Sequence, residues 1–411
     1  MKPWRGDTRT TLLPALVWTV NASSVSANVA VYLYCAHVVL RQTGSVFLSS
    51  LVFSAQWVLP IVLGAFVPRI NARWSSRSVI AVAVLLELLV LVALPGVRMS
   101  IVPFVIALVL GGLELVVKVT RLVLLKECSA PDLLSRHVAV TSTGQFVGAA
   151  FGGVVFALFV SRPLAALAVA LLVLYLTALT CAVLLPVPAG SGGARRGADD
   201  RRGSIRMAVV AMAADGLLVR GLVGLVAVSG LLQGFHNVAR VDLPGSAWGA
   251  GDAGVGLLQA VAAGATVLGA FAFSARPKLF ARTGPLLAAT VVSVVTMCAA
   301  TLPQGLGPGL VVYGVYIVFF EICFMSYQAV VAQRSSVEAI SSIVSVQFIM
   351  VNVALAVLIT AGGLLAEVAG IGVTAVVFGA ACLLLSVWCA RRPAETEVGR
   401  RSEVPTVPTA T

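Results

Sequence analysis

The chain reads as an all-α membrane protein: twelve transmembrane helices in two pseudo-symmetric six-helix bundles, with both termini in the cytoplasm. Three observations predict this. Long apolar runs follow one another along the 411 residues, 59% of which are hydrophobic, at a mean hydropathy of +1.03. The basic residues gather on one side of those runs. A short sequence also recurs at the same place in each half.

A run of about 20 apolar residues crosses the hydrocarbon core as a helix, and a helix meets all its backbone hydrogen-bonding needs internally. The runs place spans at about 12–40, 46–67, 78–97, 101–125, 135–160, 163–186, 217–239, 254–275, 284–302, 308–331, 340–363 and 370–390, with edges uncertain by several residues. The connections are short and leave no room for a separate soluble domain. The first apolar run leads directly into further spans, so no cleavable signal peptide is expected.

The net charge of +12 raises the question of a nucleic-acid partner, and its distribution answers it. Most of the 28 Lys and Arg, including Arg69, Arg73, Arg77, the 195–206 cluster, Arg276, Lys278, Arg391 and Arg392, fall on the side of the termini. Arg41, Arg98, Arg162 and Arg240 are assigned to the other side, and Lys118, Arg121 and Arg220 to the spans or their ends. Basic loops stay in the cytoplasm, so the charge records topology in the cytoplasmic membrane. No nucleic acid is expected as a partner.

Residues 1–187 form the first bundle. The stretch 188–206, rich in Gly, Arg and Asp, reads as a flexible cytoplasmic linker. Residues 207–390 form the second bundle, with an interfacial helix at its start over Met207–Asp215. The polar tail 391–411 is expected to be disordered. Leu63-Gly64-Ala65-Phe66 closes span 2 and Leu268-Gly269-Ala270-Phe271 closes span 8, each followed by a basic loop. Glu114 in span 4 has a counterpart in Glu321 of span 10. Paired six-span halves are a transporter architecture, with the substrate site between them near mid-membrane.

Further residues carry a family likeness. Thr43-Gly44-Ser45 links spans 1 and 2, Leu59-Pro60 and Gly64 follow in span 2, and span 5 holds Gly144-Gln145-Phe146-Val147-Gly148-Ala149-Ala150-Phe151-Gly152-Gly153. The chain resembles the major facilitator superfamily, most closely its branch of drug:proton antiporters and siderophore exporters, which includes the enterobactin exporter and macrolide efflux proteins. That branch shows TGS, LP and a G-x-x-a-D-R loop, and in span 5 the pattern G-x-x-x-G-P-x-x-G-G. Pro68 stands at the acidic loop position and Ala149 at the proline position. The resemblance implies the major facilitator fold, alternating access and export. It also gives the Gly64, Arg69 and Arg73 loop a part in gating. Gly144, Gly148, Gly152 and Gly153 fit either the antiporter pattern or plain close helix packing.

Ionisable residues inside the spans are functional candidates by default. Glu114, Lys118 and Arg121 share one face of span 4, Glu87 lies in the middle of span 3, and Glu321 in span 10. Glu114 is the leading proton carrier, with Glu87 and Glu321 as alternatives; opening to each side in turn would change what surrounds the carboxyl. The competing reading is a static Glu114–Lys118 pair that only fixes packing, a spacing that favours pairing. Asn21, Ser24, Asn28 and Tyr32 form a polar stripe on span 1; Gln233, His236, Asn237 and Arg240 form one on span 7. In the family these two helices line the cavity. Tyr313, Tyr316 and Phe320 on span 10, with Gln56 on span 2, are read as further cavity wall or as helix packing.

Together these readings predict a secondary transporter that exports a small amphipathic organic molecule, drug-like or siderophore-like, in exchange for protons. It is expected to act as a monomer with no cofactor or metal. The electrical part of the proton gradient supplies about 2.3 kcal/mol per charge per 100 mV. No G-x-x-x-x-G-K-[ST] loop occurs, which argues against direct use of ATP. A uniporter or importer is the alternative. An intramembrane enzyme is disfavoured because His37, His137 and His236 are scattered and neither H-E-x-x-H nor G-x-S-x-G occurs. A receptor or scaffold would leave Glu114 and Glu321 unexplained.

Overall fold

In the computed structural model of the chain, the described residues are 12–64, 66–98, 101–129, 133–186, 210, 212–280, 282–303, 305–334 and 340–391. Among them are twelve helices long and apolar enough to cross a membrane. We label these α1 (Leu13–Thr43), α2 (Val46–Leu63), α3 (Ser76–Val90, continued by a 3-10 turn over Leu91–Arg98), α4 (Val102–Cys128), α5 (Leu134–Phe159) and α6 (Leu164–Leu184) in the first half. The second half has α7 (Gly216–Ser246, in three segments), α8 (Ala253–Ala275), α9 (Thr283–Ala300), α10 (Leu306–Arg334), α11 (Ile340–Ala369) and α12 (Ile371–Ala390). The linker 188–206 and the tail from 392 onward lie outside the described residues, as do Met207, Ala208, Val209 and Ala211 of the interfacial helix expected over Met207–Asp215; Val210, Met212, Ala213 and Ala214 are helical.

Local chemistry explains the boundaries. Ser45 caps α2 by accepting the Leu48 amide, and Ser75 caps α3 by accepting that of Ser78. Asp215 opens α7 by accepting the amides of Leu217 and Leu218. Gly44 closes α1 at φ 67°, a conformation that Gly adopts without steric cost.

Three expected boundaries move. α2 stops at Leu63 rather than about 67; Pro68 instead sits in the first turn of a short helix, Val67–Arg73, where its missing N–H is harmless. α11 runs to Ala369, ended by Gly370 at φ 88°. α7 continues past 239 to Ser246, so Arg240, expected in the opposite loop, lies inside a spanning helix.

One apolar cluster lies wholly in the second half, and another joins the first half to Val238 and Val241 of α7, Val255 of α8 and Leu355 and Ile359 of α11. The contacts follow a pseudo-two-fold pattern. α2 packs on α4 as α8 packs on α10, and between the halves α2 meets α11 as α8 meets α5. α5 lies along α1 at close range. Cβ atoms built on Gly144, Gly148 and Gly152 would come within 2.9, 2.6 and 2.5 Å of the carbonyl oxygens of Trp18, Ala22 and Ser26. One residue on, Gly153 faces Gly256 of α8 in the other half, again too close for a side chain. The four α5 glycines therefore serve close helix packing in this conformation.

Candidate functional site

The polar stripe of α1 points into the first bundle. Glu87 of α3 is 0% exposed and accepts hydrogen bonds from Ser24 Oγ at 2.6 Å and Asn28 Nδ2 at 3.2 Å. The Tyr175 hydroxyl of α6 donates to Asn28 Oδ1 at 2.7 Å, giving the amide both a donor role and an acceptor role. Asn21 donates to the Thr141 carbonyl of α5 at 3.1 Å. Asn21 and Asn28 are thus engaged within the bundle, and Tyr175 is a member that the sequence did not single out. Tyr32, 3% exposed, lies beside Glu114.

On α4, Arg121 is buried, Glu114 is half-buried and Lys118 is exposed. The face these residues share is therefore only partly covered by packing. The static Glu114–Lys118 pair of the competing reading is not formed in this conformation: among the described residues the ion pairs within 4.0 Å go to Asp252. Arg121 and Asn21 line a small cavity with Val17, Val20, Ile80 and Val117.

The second bundle holds the other stripe. α7 widens into a π-helical turn over Val228–Gln233, a local irregularity that often marks functional sites. Gln233 and His236 are half-buried, and Asn237 turns back to donate to the Gln233 carbonyl at 2.8 Å. His236 Nδ1 lies 2.7 Å from the Tyr313 hydroxyl. Arg240 is buried; its Nη1 donates to Gln259 Oε1 at 3.1 Å, and its guanidinium lies 3.5 Å from the ring centre of Phe53, in the other half.

The aromatic face of α10 is packing. Tyr313 and Tyr316 are fully buried, edge to face at 5.2 Å, and join Trp248 and Phe235 in an aromatic cluster. The Tyr316 hydroxyl donates to the Leu232 carbonyl inside the π-turn. Such turns leave a carbonyl without its usual helical donor, which gives a buried Tyr a physical reason to be there. Phe320 is 7% exposed and lies near Phe324. As a correction to the cavity-wall reading, Tyr313, Tyr316 and Phe320 belong to the core of the second bundle in this conformation. Gln56 is buried where the α2 backbone crosses Gly111 of α4.

Glu321 is buried against Gly269 of α8, the glycine of the repeated sequence, with no ion-pair partner among the described residues. Its repeat partner Gly64 closes α2. Arg73 is exposed at the end of the short basic helix; the side chain of Arg69 lies outside what is described.

The far side, away from the termini, carries contacts that sequence reasoning missed. Arg41 Nη2 of α1 donates to both carboxylate oxygens of Asp252, at 2.7 and 2.8 Å, and His37 Nε2 lies 3.6 Å from the same group. Glu367 of α11 accepts from the Phe47 amide at 2.8 Å and from the Ser45 hydroxyl. Deeper in, Ser54 donates to the Ala356 carbonyl at 2.7 Å. Each contact joins one half to the other, so the far side is closed. The available signal was charge: acidic residues at the far ends of α8 and α11, opposite a basic end of α1.

No family model matches the chain, and no curated protein matches it. Solved structures do. A bacterial homologue of the human lysosomal transporter Spinster, inward-facing and unoccupied, superposes with a TM-score of 0.69 at 13% identity, over 95% of this chain and 100% of that one. The nucleoside transporter NupG, in a point-mutant form, matches with a TM-score of 0.69 at 11% identity, over 92% and 98%. A POT family transporter in complex with 5-aminolevulinic acid matches with a TM-score of 0.70 at 10% identity, over 91% and 94%. The chain therefore has the fold of these membrane transporters, the major facilitator fold, along almost its entire length.

Proposed function

We propose that the chain is a secondary transporter of the cytoplasmic membrane that exports a small amphipathic organic molecule by proton antiport. The two bundles would rock about a site between them, exposing it to each side in turn. The observation that carries this reading is one-sided closure. Arg41–Asp252 and Glu367–Ser45 join the halves on the far side, while the Glu114–Lys118–Arg121 face of α4 is only partly packed. Contacts that consist of exposed ion pairs and single hydrogen bonds can part and re-form, which alternating access requires.

Proton coupling belongs to the carboxyl groups of the first bundle. Glu114 is half-buried with the Tyr32 phenol beside it, on the helix face that also carries Lys118 and Arg121. Glu87, wholly buried on Ser24 and Asn28, is the neighbouring acid. Glu321 is the second-half candidate.

Proton flux in proteoliposomes under an imposed pH gradient, with a panel of amphipathic compounds both neutral and anionic, tests the reading. Compound-dependent proton movement is expected from the native protein and is expected to fall at least tenfold in Glu114→Gln. Compound movement without protons would replace antiport with uniport and leave the buried carboxyls a structural role.

A further inference from the structure

Arg240 is a buried charge with no counter-charge beside it among the described residues. It is 6% exposed and lies where the two halves meet: Phe53 of α2 faces its guanidinium, Gln259 of α8 accepts from it, and Tyr32 of α1 and Tyr313 of α10 are its electrostatic neighbours. Its electrostatic neighbours are phenols and His236 rather than carboxylates, and no ion pair reaches it among the described residues. Burying a guanidinium without a counter-charge is costly, and one amide oxygen with one aromatic face offsets only part of that cost.

The way the side chain is held shows which part of it is unused. Nη1 is tied to Gln259, and the flat face rests on Phe53. Nε and Nη2 have no hydrogen-bond partner. Those two nitrogens form one edge of the guanidinium, with parallel N–H bonds spaced to meet two oxygens of one anion. The other buried arginine, Arg121, differs because Glu114 shares its helix face and acts on it. For Arg240 no group of the described chain plays that part.

We propose that Arg240 recognises an anionic group on the transported molecule, a carboxylate or a phosphate whose two oxygens take the Nε and Nη2 hydrogens. The inference rests on the transporter reading and narrows it: the amphipathic substrate is an organic anion. Phe53 fixes the plane of the fork and Gln259 its rotation. Because Phe53 belongs to the other half, an anion that takes the free edge binds at the seam that must open and close. A lysine at this position keeps the charge and loses the paired geometry.

The test uses the purified full-length protein in detergent, with thermal unfolding followed against benzoate, phenyl phosphate and the neutral isostere benzamide. Benzoate or phenyl phosphate is expected to raise the melting temperature in a saturable way, and benzamide to leave it unchanged. A response to one anion alone assigns the headgroup as carboxylate or phosphate. The apparent affinity is expected to fall at least tenfold in Arg240→Lys and to vanish in Arg240→Gln, while Arg220→Gln, which removes the same net charge elsewhere, retains it. If neither anion acts, if benzamide acts equally, or if Arg240→Lys binds as the native protein does, the proposal is overturned and Arg240 is a clamp on Phe53. Should Arg240→Gln not fold, the lysine variant decides. Proton flux driven by neutral compounds, with no anion response, would leave the transporter reading standing and remove this one.

Discussion

Arg41 of the first half places one guanidinium nitrogen between both carboxylate oxygens of Asp252 in the second half, at 2.7 and 2.8 Å. The two residues are 211 apart in sequence and sit at the far ends of α1 and α8. The pair is largely solvent-exposed, so it tips an equilibrium between open and closed rather than locking it. Asp252→Asn is expected to raise the population open on the far side. Spin labels on Ser161 and Leu302, in a background without cysteines, would report it as a longer distance; an unchanged distribution would mean that the helix packing alone sets closure.

Deeper in the same seam, Gly256 approaches Gly153 backbone to backbone. Gly256→Val leaves its side chain no room without forcing α5 and α8 apart. Overpacking of this kind costs about 1–3 kcal/mol. The variant is expected to melt lower and to shift the same spin-label distance in the direction of Asp252→Asn, whereas Gly264→Val on the same helix, which has open space, is expected to do neither.

Glu87 separates charge from hydrogen bonding. Glu87→Gln keeps one oxygen to accept from Asn28 and presents an NH2 that the Ser24 hydroxyl can accept by turning, so melting should change little while proton coupling weakens. Glu87→Ala strands both donors in a buried place, at about 1–3 kcal/mol for each unsatisfied group. Calorimetry of the two variants checks this; equal melting temperatures would show that the bonds to Glu87 do not support the fold.

The 2.7 Å contact of Tyr313 with His236 is the simplest of the four cases. Tyr313→Phe keeps the ring among Tyr316 and Trp248 and removes one buried hydrogen bond. The expected loss is about 1 kcal/mol of stability, read from thermal unfolding. A much larger loss would point to a wider network through His236.

Much of the fold was legible in the sequence, and the residues show why. The starts of α7, α8 and α12 fall within a residue of where apolar runs begin, because lipid enforces length and hydropathy locally. The candidate site was legible as a set of residue types and only in part as a set of contacts. Helical spacing put Glu114 and Lys118 on one face, yet no ion pair joins them in this conformation. Tyr313 and Tyr316 read equally well as cavity wall or as packing, and the carbonyl freed by the π-turn is what draws Tyr316 inward. Arg240 read as a loop residue because a charge is costly in a span, and the rule fails where an aromatic ring and an amide share that cost.

By itself, the sequence determined the all-helical class and the twelve spans, which follow from hydropathy that can be summed along the chain. The tertiary structure alone decided that Ser24 and Asn28 hold Glu87, that Tyr175 completes them, that Arg41 meets Asp252 and that Arg240 rests on Phe53 with one edge free. Those contacts depend on how each helix is rotated and where it crosses its neighbours. Rotation and crossing are settled by packing between residues tens to hundreds of positions apart, which no local period records.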